Sequence, residues 1–259
     1  MSTPILVTGG TGTLGRLVVP LLREAGHKVR VLSRKSAEAV DGIEFVSGDL
    51  TTGEGLEAAV TGVETIVHLA GTSKGDEDKA RNLVAAAVPA GVRHLVYISV
   101  VGADRVPVES GVDRAMFGYF ASKLAAERIV AESGIPWTTL RATQFHDLVL
   151  TTAKAMTKLP VVPVPGARFQ PVETAEVAAR LVELALGQPA GLVPDIAGPR
   201  VYEMKELIRS YLRAAGKRRL LMPMPMAGKA ARAVRAGANL APDRAVGHRT
   251  WEDFLAERV

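Results

Sequence analysis

The stretch Ile5-Leu6-Val7-Thr8-Gly9-Gly10-Thr11-Gly12-Thr13-Leu14-Gly15 decides the fold. Four β-branched or apolar residues form a short buried strand. The glycines then turn the chain, and the apolar positions from Leu14 onward recur at helical spacing up to Ala25. A GxxGxxG string alone is weak, but strand, tight turn and helix N-terminus are the context its chemistry needs. Gly9 would make the turn, Gly12 would let backbone approach a pyrophosphate, and Gly15 would let helix and strand pack closely. Free N–H groups and the dipole at the helix start favour that anion. No Gly-Lys-Ser/Thr follows, which excludes a nucleotide-triphosphate P-loop.

Outward from this unit, short apolar runs alternate with helical stretches. Strands are expected at Lys28–Ser33, Ile43–Ser47, Thr65–Leu69, His94–Ser99 and Thr138–Arg141, with helices at Leu56–Val60, Asp78–Val88 and Tyr119–Ser133. That alternation predicts an α/β fold, a doubly wound parallel sheet of Rossmann type. Gly26, Gly91 and Gly134 follow three helices where a C-terminal cap needs positive φ. After residue 145 the rhythm changes. Pro160, Pro163 and Pro165 predict an extended stretch, Thr174–Leu186 and Glu203–Ala215 predict amphipathic helices, and Met222-Pro223-Met224-Pro225-Met226 reads as a break before a helix near Ala227–Ala236. The expected organisation is a single domain over 1–259. Residues 1–145 would form the Rossmann core, and 146–259 a small substrate-binding cap laid against the sheet's carboxyl edge.

Composition narrows the function. The 259 residues are 47% hydrophobic and 23% charged, which is ordinary for a globular chain. Cysteine is absent, so disulfide scaffolds, thiolate metal sites and thiol nucleophiles are excluded. Five scattered histidines give no reason to expect a metal. There is no basic leader and no 18-residue apolar run, so a cytoplasmic protein without a membrane partner is expected. Residues 200–259 hold 13 Lys/Arg against 6 Asp/Glu, while residues 1–199 hold 19 against 21. The chain's basic excess is therefore C-terminal. It lacks the interleaved aromatics of a nucleic-acid reader, so no nucleic-acid partner is expected; a solvated face or an anion-attracting wall fits it better.

The second strand bears on the cofactor. Where an NAD site places Asp or Glu on the ribose 2′-OH, this chain has Ser33-Arg34-Lys35. Arg34 offers a planar, permanently charged fork for a 2′-phosphate, which favours NADP(H). Asp49 and Leu50 after the third strand, and Ala70-Gly71-Thr72 after the fourth, outline the rest of the nucleotide site, with Thr11, Thr13 and Leu14 completing the glycine loop.

These pieces, together with Tyr97-Ile98-Ser99, Tyr119-Phe120-Ala121-Ser122-Lys123 and Leu140-Arg141-Ala142-Thr143-Gln144-Phe145, resemble the short-chain dehydrogenase/reductase superfamily in its atypical, NmrA-like branch. The resemblance implies that Tyr119 exchanges the substrate proton. Lys123 would lower the tyrosine's pKa and hold the nicotinamide ribose, and Ser99 would orient a carbonyl. A phenol near pKa 10 needs an adjacent cation to act near neutrality, and i,i+4 spacing puts both groups on one helix face. Where many extended members have a second Ser beside this one, the chain has Val100. Gln144, Phe145 and His146 follow the sixth strand and are expected to line the substrate pocket, with Asp147 a partner for His146. Trp251 and Phe254 are expected to anchor the C-terminus. The activity implied is reduction of a carbonyl or conjugated double bond of a small molecule by NADPH. A non-catalytic sensor of NADP(H), with Tyr119 only packing, is the alternative, and an epimerase or isomerase a third. Oligomeric state has no sequence signal.

Overall fold

The computed structural model describes residues 3–35, 42–72 and 74–259. Its strands are β1 (Ile5–Thr8), β2 (Val29–Ser33), β3 (Ile43–Ser47), β4 (Thr65–His68), β5 (His94–Val100), β6 (Trp137–Ala142), β7 (Val161–Pro165), β8 (Arg168–Phe169), β9 (Gly191–Leu192), β10 (Tyr202–Glu203) and β11 (Leu220–Met224). The α-helices are α1 (Gly15–Glu24), α2 (Leu56–Val60), α3 (Asp76–Ala87), α4 (Gly111–Ala131), α5 (His146–Met156), α6 (Thr174–Leu186), α7 (Met204–Ala214), α8 (Lys229–Ala236) and α9 (Trp251–Arg258).

Seven strands form a parallel sheet in the order β3-β2-β1-β4-β5-β6-β9. The order reverses between β1 and β4, and in doubly wound sheets the crevice outside the strands' carboxyl ends at that reversal is where ligands bind. The strands are nearly all-apolar because both faces are covered: β5 is buried at every residue. Leu6, Ile66, Leu95 and Tyr97 from the sheet pack with Leu56 and Val60 of α2, Leu83 of α3, and Ala126 and Val130 of α4. The expected Rossmann-type sheet and all six of its expected strands are present. Gly26, Gly91 and Gly134 have φ of 87°, 72° and 77° after their helices.

The chain forms two compact units, each assembled from separated segments. The sheet unit comprises residues 1–99, 122–140 and 177–193, because α6 and β9 return to extend it. The second unit comprises 100–121, 141–176 and 194–259. Its core contains Trp251 and Phe254 of α9, both fully buried, packed with Tyr202, Leu207 and Tyr211, as expected of anchors. A second cluster joins Val162 and Val164 of β7 to Met204, Ile208 and Leu212 of α7.

Two readings of this unit are corrected. Met222-Pro223-Met224 is no break: it is β11, paired in parallel with β7 from Leu220↔Val161 to Met224↔Pro165. Helix α4 starts eight residues before the expected Tyr119. The Ser110 hydroxyl accepts from the Asp113 N–H at 3.0 Å and the Asp113 carboxylate accepts from the Ser110 N–H at 3.2 Å, a reciprocal cap that nucleates it.

Candidate active site

At the reversal point the loop after β1 behaves as its glycines predict. Gly9 has φ of +70°, and a Cβ there would sit 2.7 Å from the Ala70 N, so the turn lies directly against the end of β4. A Cβ at Gly15 would be 2.2 Å from the Gly9 carbonyl oxygen, which fixes helix and loop in contact. At Gly12 a Cβ would meet only that same oxygen, at 3.2 Å, and the residue is exposed. The loop's outer side is thus an open backbone surface. Helix α1 has neither an acidic residue in its first turn nor a side-chain cap, so its leading N–H groups suit an anion. These features fit the pyrophosphate of a dinucleotide.

The strand ends beside this loop supply the rest. Arg34 and Lys35 are exposed just beyond β2, and the Ser33 hydroxyl accepts from the Lys35 N–H at 3.2 Å. Asp49 accepts from the Thr51 N–H at 2.7 Å. That bond, helped by the charges of Arg34 and Lys79, holds its carboxyl below the usual range despite a smaller opposing effect of desolvation. Leu50 is buried beneath it.

Behind the loop runs a buried polar row that crosses the sheet. Thr8, His68 and Tyr97 are register partners on β1, β4 and β5. The Thr8 hydroxyl lies 2.6 Å from His68 Nδ1, and the His68 and Tyr97 rings stack with centroids 5.3 Å apart. Lys123 of α4 closes the row. Its Nζ lies 3.3 Å from the Tyr97 hydroxyl, 3.2 Å from the Ile98 carbonyl oxygen and 3.1 Å from Asp76 Oδ2.

Asp76 is wholly buried. It also accepts from the Thr72 N–H at 2.8 Å and pairs with Lys79 at 3.1 Å. Burial is the largest single influence and would raise its pKa, but Lys123, the Thr72 N–H and Lys79 together outweigh it and hold the carboxyl below its usual range. Burial lowers the Lys123 pKa, with Asp76 opposing. A Cβ at Gly71 would lie 3.0 Å from Lys123 Nζ and 3.1 Å from Asp76 Oδ2. The missing side chain at Gly71 therefore also makes room for the ion pair.

Asp76 and His68 were given no role in the sequence, and Tyr97 entered only within the Tyr97-Ile98-Ser99 stretch. Their signal is positional: His68 and Tyr97 lie in the two strands that follow the reversal, and Asp76 opens the helix after β4.

His68 supplies a pH test. Desolvation, aided by the nearby Lys123 charge, lowers its pKa to about 3, so the folded protein keeps it neutral while the unfolded chain protonates it near 6.5. The protein therefore binds a proton on unfolding between those values. Stability is fully present above pH 6.5 and falls as pH drops toward 3, by about 1.4 kcal/mol per unit for this group. His94 and His146, both lowered by burial, add to the slope. Urea unfolding across this range should show the decline, and His68→Phe should flatten it by one proton. Equal slopes in both proteins would mean His68 is not the group responsible.

Ser99, near the end of β5, is buried, and its Oγ has no hydrogen-bond partner among the described residues. Tyr119 stands one turn before Lys123 on α4 and is 37% exposed, with its ring edge-on to Phe120.

Of the residues after β6, His146 departs from expectation. His146 has 0% exposure; its ring stacks on Phe254 and Trp251 at 5.0 and 6.0 Å, and its Nδ1 lies 3.6 Å from Glu173. Asp147 instead accepts from the Thr174 hydroxyl at 2.8 Å. Gln144 ties loops together, accepting from the Gln170 N–H at 3.1 Å and donating to the Asn239 carbonyl at 3.3 Å. His146 is a core residue because two aromatic faces enclose it, and Gln144 is committed to structural bonds. Phe145, half-buried, precedes α5.

A sheet of this order, with a glycine loop at its reversal and a buried lysine one turn from a tyrosine, defines a dinucleotide-binding protein of the atypical short-chain dehydrogenase/reductase class. Residues 9–186 match the NAD(P)H-binding family model, and the chain belongs to that family. It is 30% identical over 221 residues to a (4-alkanoyl-5-oxo-2,5-dihydrofuran-3-yl)methyl phosphate reductase of Streptomyces griseus, covering 82% of this chain and 74% of that one. It is 29% identical over 222 residues to an NAD(P)H azoreductase of Xenophilus azovorans, with the same coverages. In fold it is similar to the NADPH-dependent quinone oxidoreductase of Escherichia coli solved with NADPH, at 20% identity and a TM-score of 0.79, over 98% of this chain and 99% of that one. No helix among the described residues is long and apolar enough to cross a membrane.

Proposed function

We propose that this protein is a cytoplasmic NADPH-dependent oxidoreductase that reduces a carbonyl or conjugated double bond of a small organic molecule. The observation that carries the reading is the buried, ion-paired Lys123 one helical turn from the exposed Tyr119. Bound NADPH would supply hydride. The chain's own task is the proton. Tyr119 gives it from its hydroxyl, and the positive charge of Lys123 lowers the cost of the phenolate left behind. Asp76 keeps that ammonium charged and fixed in a buried setting. Ser99, whose Oγ has no partner among the described residues, would donate to a substrate oxygen. Gly9, Thr11, Gly12, Thr13, Leu14 and Gly15 would carry the pyrophosphate, with Ala70, Gly71 and Thr72 behind them and Asp49 and Leu50 toward the adenine. The names of the azo, quinone and furanone-phosphate reductases among the relatives and fold neighbours support a conjugated acceptor. Assaying NADPH oxidation across quinones, aldehydes and enones tests the proposal. Tight NADPH binding with no oxidation of any acceptor would replace it with the sensor reading.

Cofactor choice rests on Arg34, exposed beyond β2, where the strand runs into Ser33-Arg34-Lys35 with no carboxylate among these three. Arg34→Asp is expected to weaken NADPH relative to NADH by roughly 1–3 kcal/mol, the scale of a charge-assisted hydrogen bond. Titrating both cofactors into both proteins measures it, and equal wild-type affinities would sink the assignment.

A further inference from the structure

Among the described residues, the β7–β11 ribbon of the second unit carries an apolar face left largely exposed. Because register partners in a parallel pair share a face, Val161, Pro163, Pro165, Leu220, Met222 and Met224 all point the same way. The opposite face is core, with Val162 and Val164 on α7. Four of the six are exposed, Leu220 at 67% and Met222 at 53% the most so, while Pro163 and Pro165 are half-buried. Cations lie at one end of this face, where Lys217, Arg218 and Arg219 lead directly into Leu220 of β11. With Lys205, Arg209 and Arg213 of α7, the helix packed on the opposite face, they line a groove of about 730 Å³ that reaches the edge of the ribbon at Leu220 and Leu221. The carboxylates at the start of α7, Glu203 and Glu206, stay charged but number two against these six cations. Arg219 donates to the Thr157 carbonyl at 3.0 Å, and Lys217 lies over the Tyr211 ring, but both heads remain exposed.

We infer that this face is an interfacial docking surface for a membrane rich in anionic lipid. The ribbon's apolar residues would enter the headgroup–acyl boundary, and the basic groove would hold lipid phosphates. An apolar patch bordered by Lys and Arg is the pattern that binds such surfaces. Charge complementarity selects this occupant over others. A second copy docked on the same face would bring two basic rims together. Strand addition is hindered because Pro163 and Pro165 on β7 and Pro223 on β11 have no N–H to offer. Nucleic acid would leave the six apolar side chains unused. The proposal does not rest on the reductase reading. It revises the expectation that the chain has no membrane partner.

The full-length protein is mixed with vesicles of phosphatidylcholine alone, or of equal parts phosphatidylcholine and phosphatidylglycerol, and the bound fraction is measured by flotation. Binding is expected on the anionic vesicles at least about tenfold above the neutral ones, with release near 1 M salt, where the screening length is ~3 Å. Arg213→Glu with Lys217→Glu should weaken it by about tenfold or more. Leu220→Ser with Met222→Ser should weaken it as well, without changing net charge. Both pairs lie on the surface, so melting curve and NADPH affinity should match wild type and serve as controls for folding. Equal binding to both vesicle types, or none, overturns the proposal. So does binding that both pairs leave unchanged. A dimer in sedimentation velocity that Met222→Ser abolishes, with no vesicle binding, assigns the face to a second copy. Retention of a DNA duplex without vesicle binding assigns it to nucleic acid.

Discussion

Tyr119→Phe is expected to cut turnover of a carbonyl acceptor about 10²–10⁴-fold, the usual worth of general acid catalysis, while NADPH affinity barely moves. The substitution keeps ring volume and the edge contact with Phe120 and removes only the hydroxyl. Lys123→Ala should behave differently. It deletes a buried cation whose neighbours include Asp76, the Tyr97 hydroxyl and the Ile98 carbonyl, so it leaves a buried carboxylate short of one partner and should lower both turnover and stability. The pair separates a proton-transfer role from an architectural one. Rate measurements with a quinone and an aldehyde side by side sharpen the result, because an acceptor reduced by hydride alone would not need the phenol. Full activity of Tyr119→Phe on both would remove the tyrosine from the mechanism.

Gly12→Val is expected to reduce NADPH affinity by at least about 100-fold, which is about 2.7 kcal/mol, and to leave the melting temperature nearly unchanged. The asymmetry follows from the loop's geometry. A Cβ at position 12 meets only the Gly9 oxygen, at 3.2 Å, so the protein itself can accommodate the side chain. What cannot accommodate it is an anion lying on the same backbone. Gly15→Val is the contrasting control: its Cβ would fall 2.2 Å from the Gly9 oxygen, so that variant should fail in folding before it fails in binding. Calorimetry with NADPH and a thermal melt on each protein read the two effects apart. Wild-type affinity in Gly12→Val would mean that the loop is not where the cofactor sits.

The sheet was legible because continuous apolar strands and glycine-punctuated helices repeat a pattern that only a covered parallel sheet produces. The second unit was less so. Gly111 and Gly118 hide the first turns of α4 from a propensity reading, yet Ser110-x-x-Asp113 carried a capping signal. Thr250-x-x-Asp253 did the same for α9. β11 was missed because alternating Met and Pro looks like a chain break, whereas its partner β7 lies some sixty residues away and no local rule pairs them. In the proposed site, Tyr119, Lys123 and Ser99 came from the resemblance to the family's motifs. Asp76 did not, since an acidic residue in a helix's first turn is ordinary dipole chemistry, and its contact with Lys123 spans 47 positions. His146 misled for the opposite reason: a polar residue at a strand's carboxyl end suggests a ligand, and only the aromatic rings of α9, a hundred residues on, show it to be sealed in.

The chain passes back and forth between its two units five times, at residues 99, 121, 140, 176 and 193. During synthesis, then, the sheet cannot be finished until α6 and β9 have emerged, although its first six strands are complete by residue 142. Most of the second unit's residues are likewise made after the first-unit segments that interrupt it. Neither unit can be inherited as a cassette: a recombination event that exchanged residues 146–259 would remove an edge of the sheet along with the segment it meant to replace. Diversification of the second unit in such an architecture must proceed residue by residue, on a scaffold that cannot be swapped out whole.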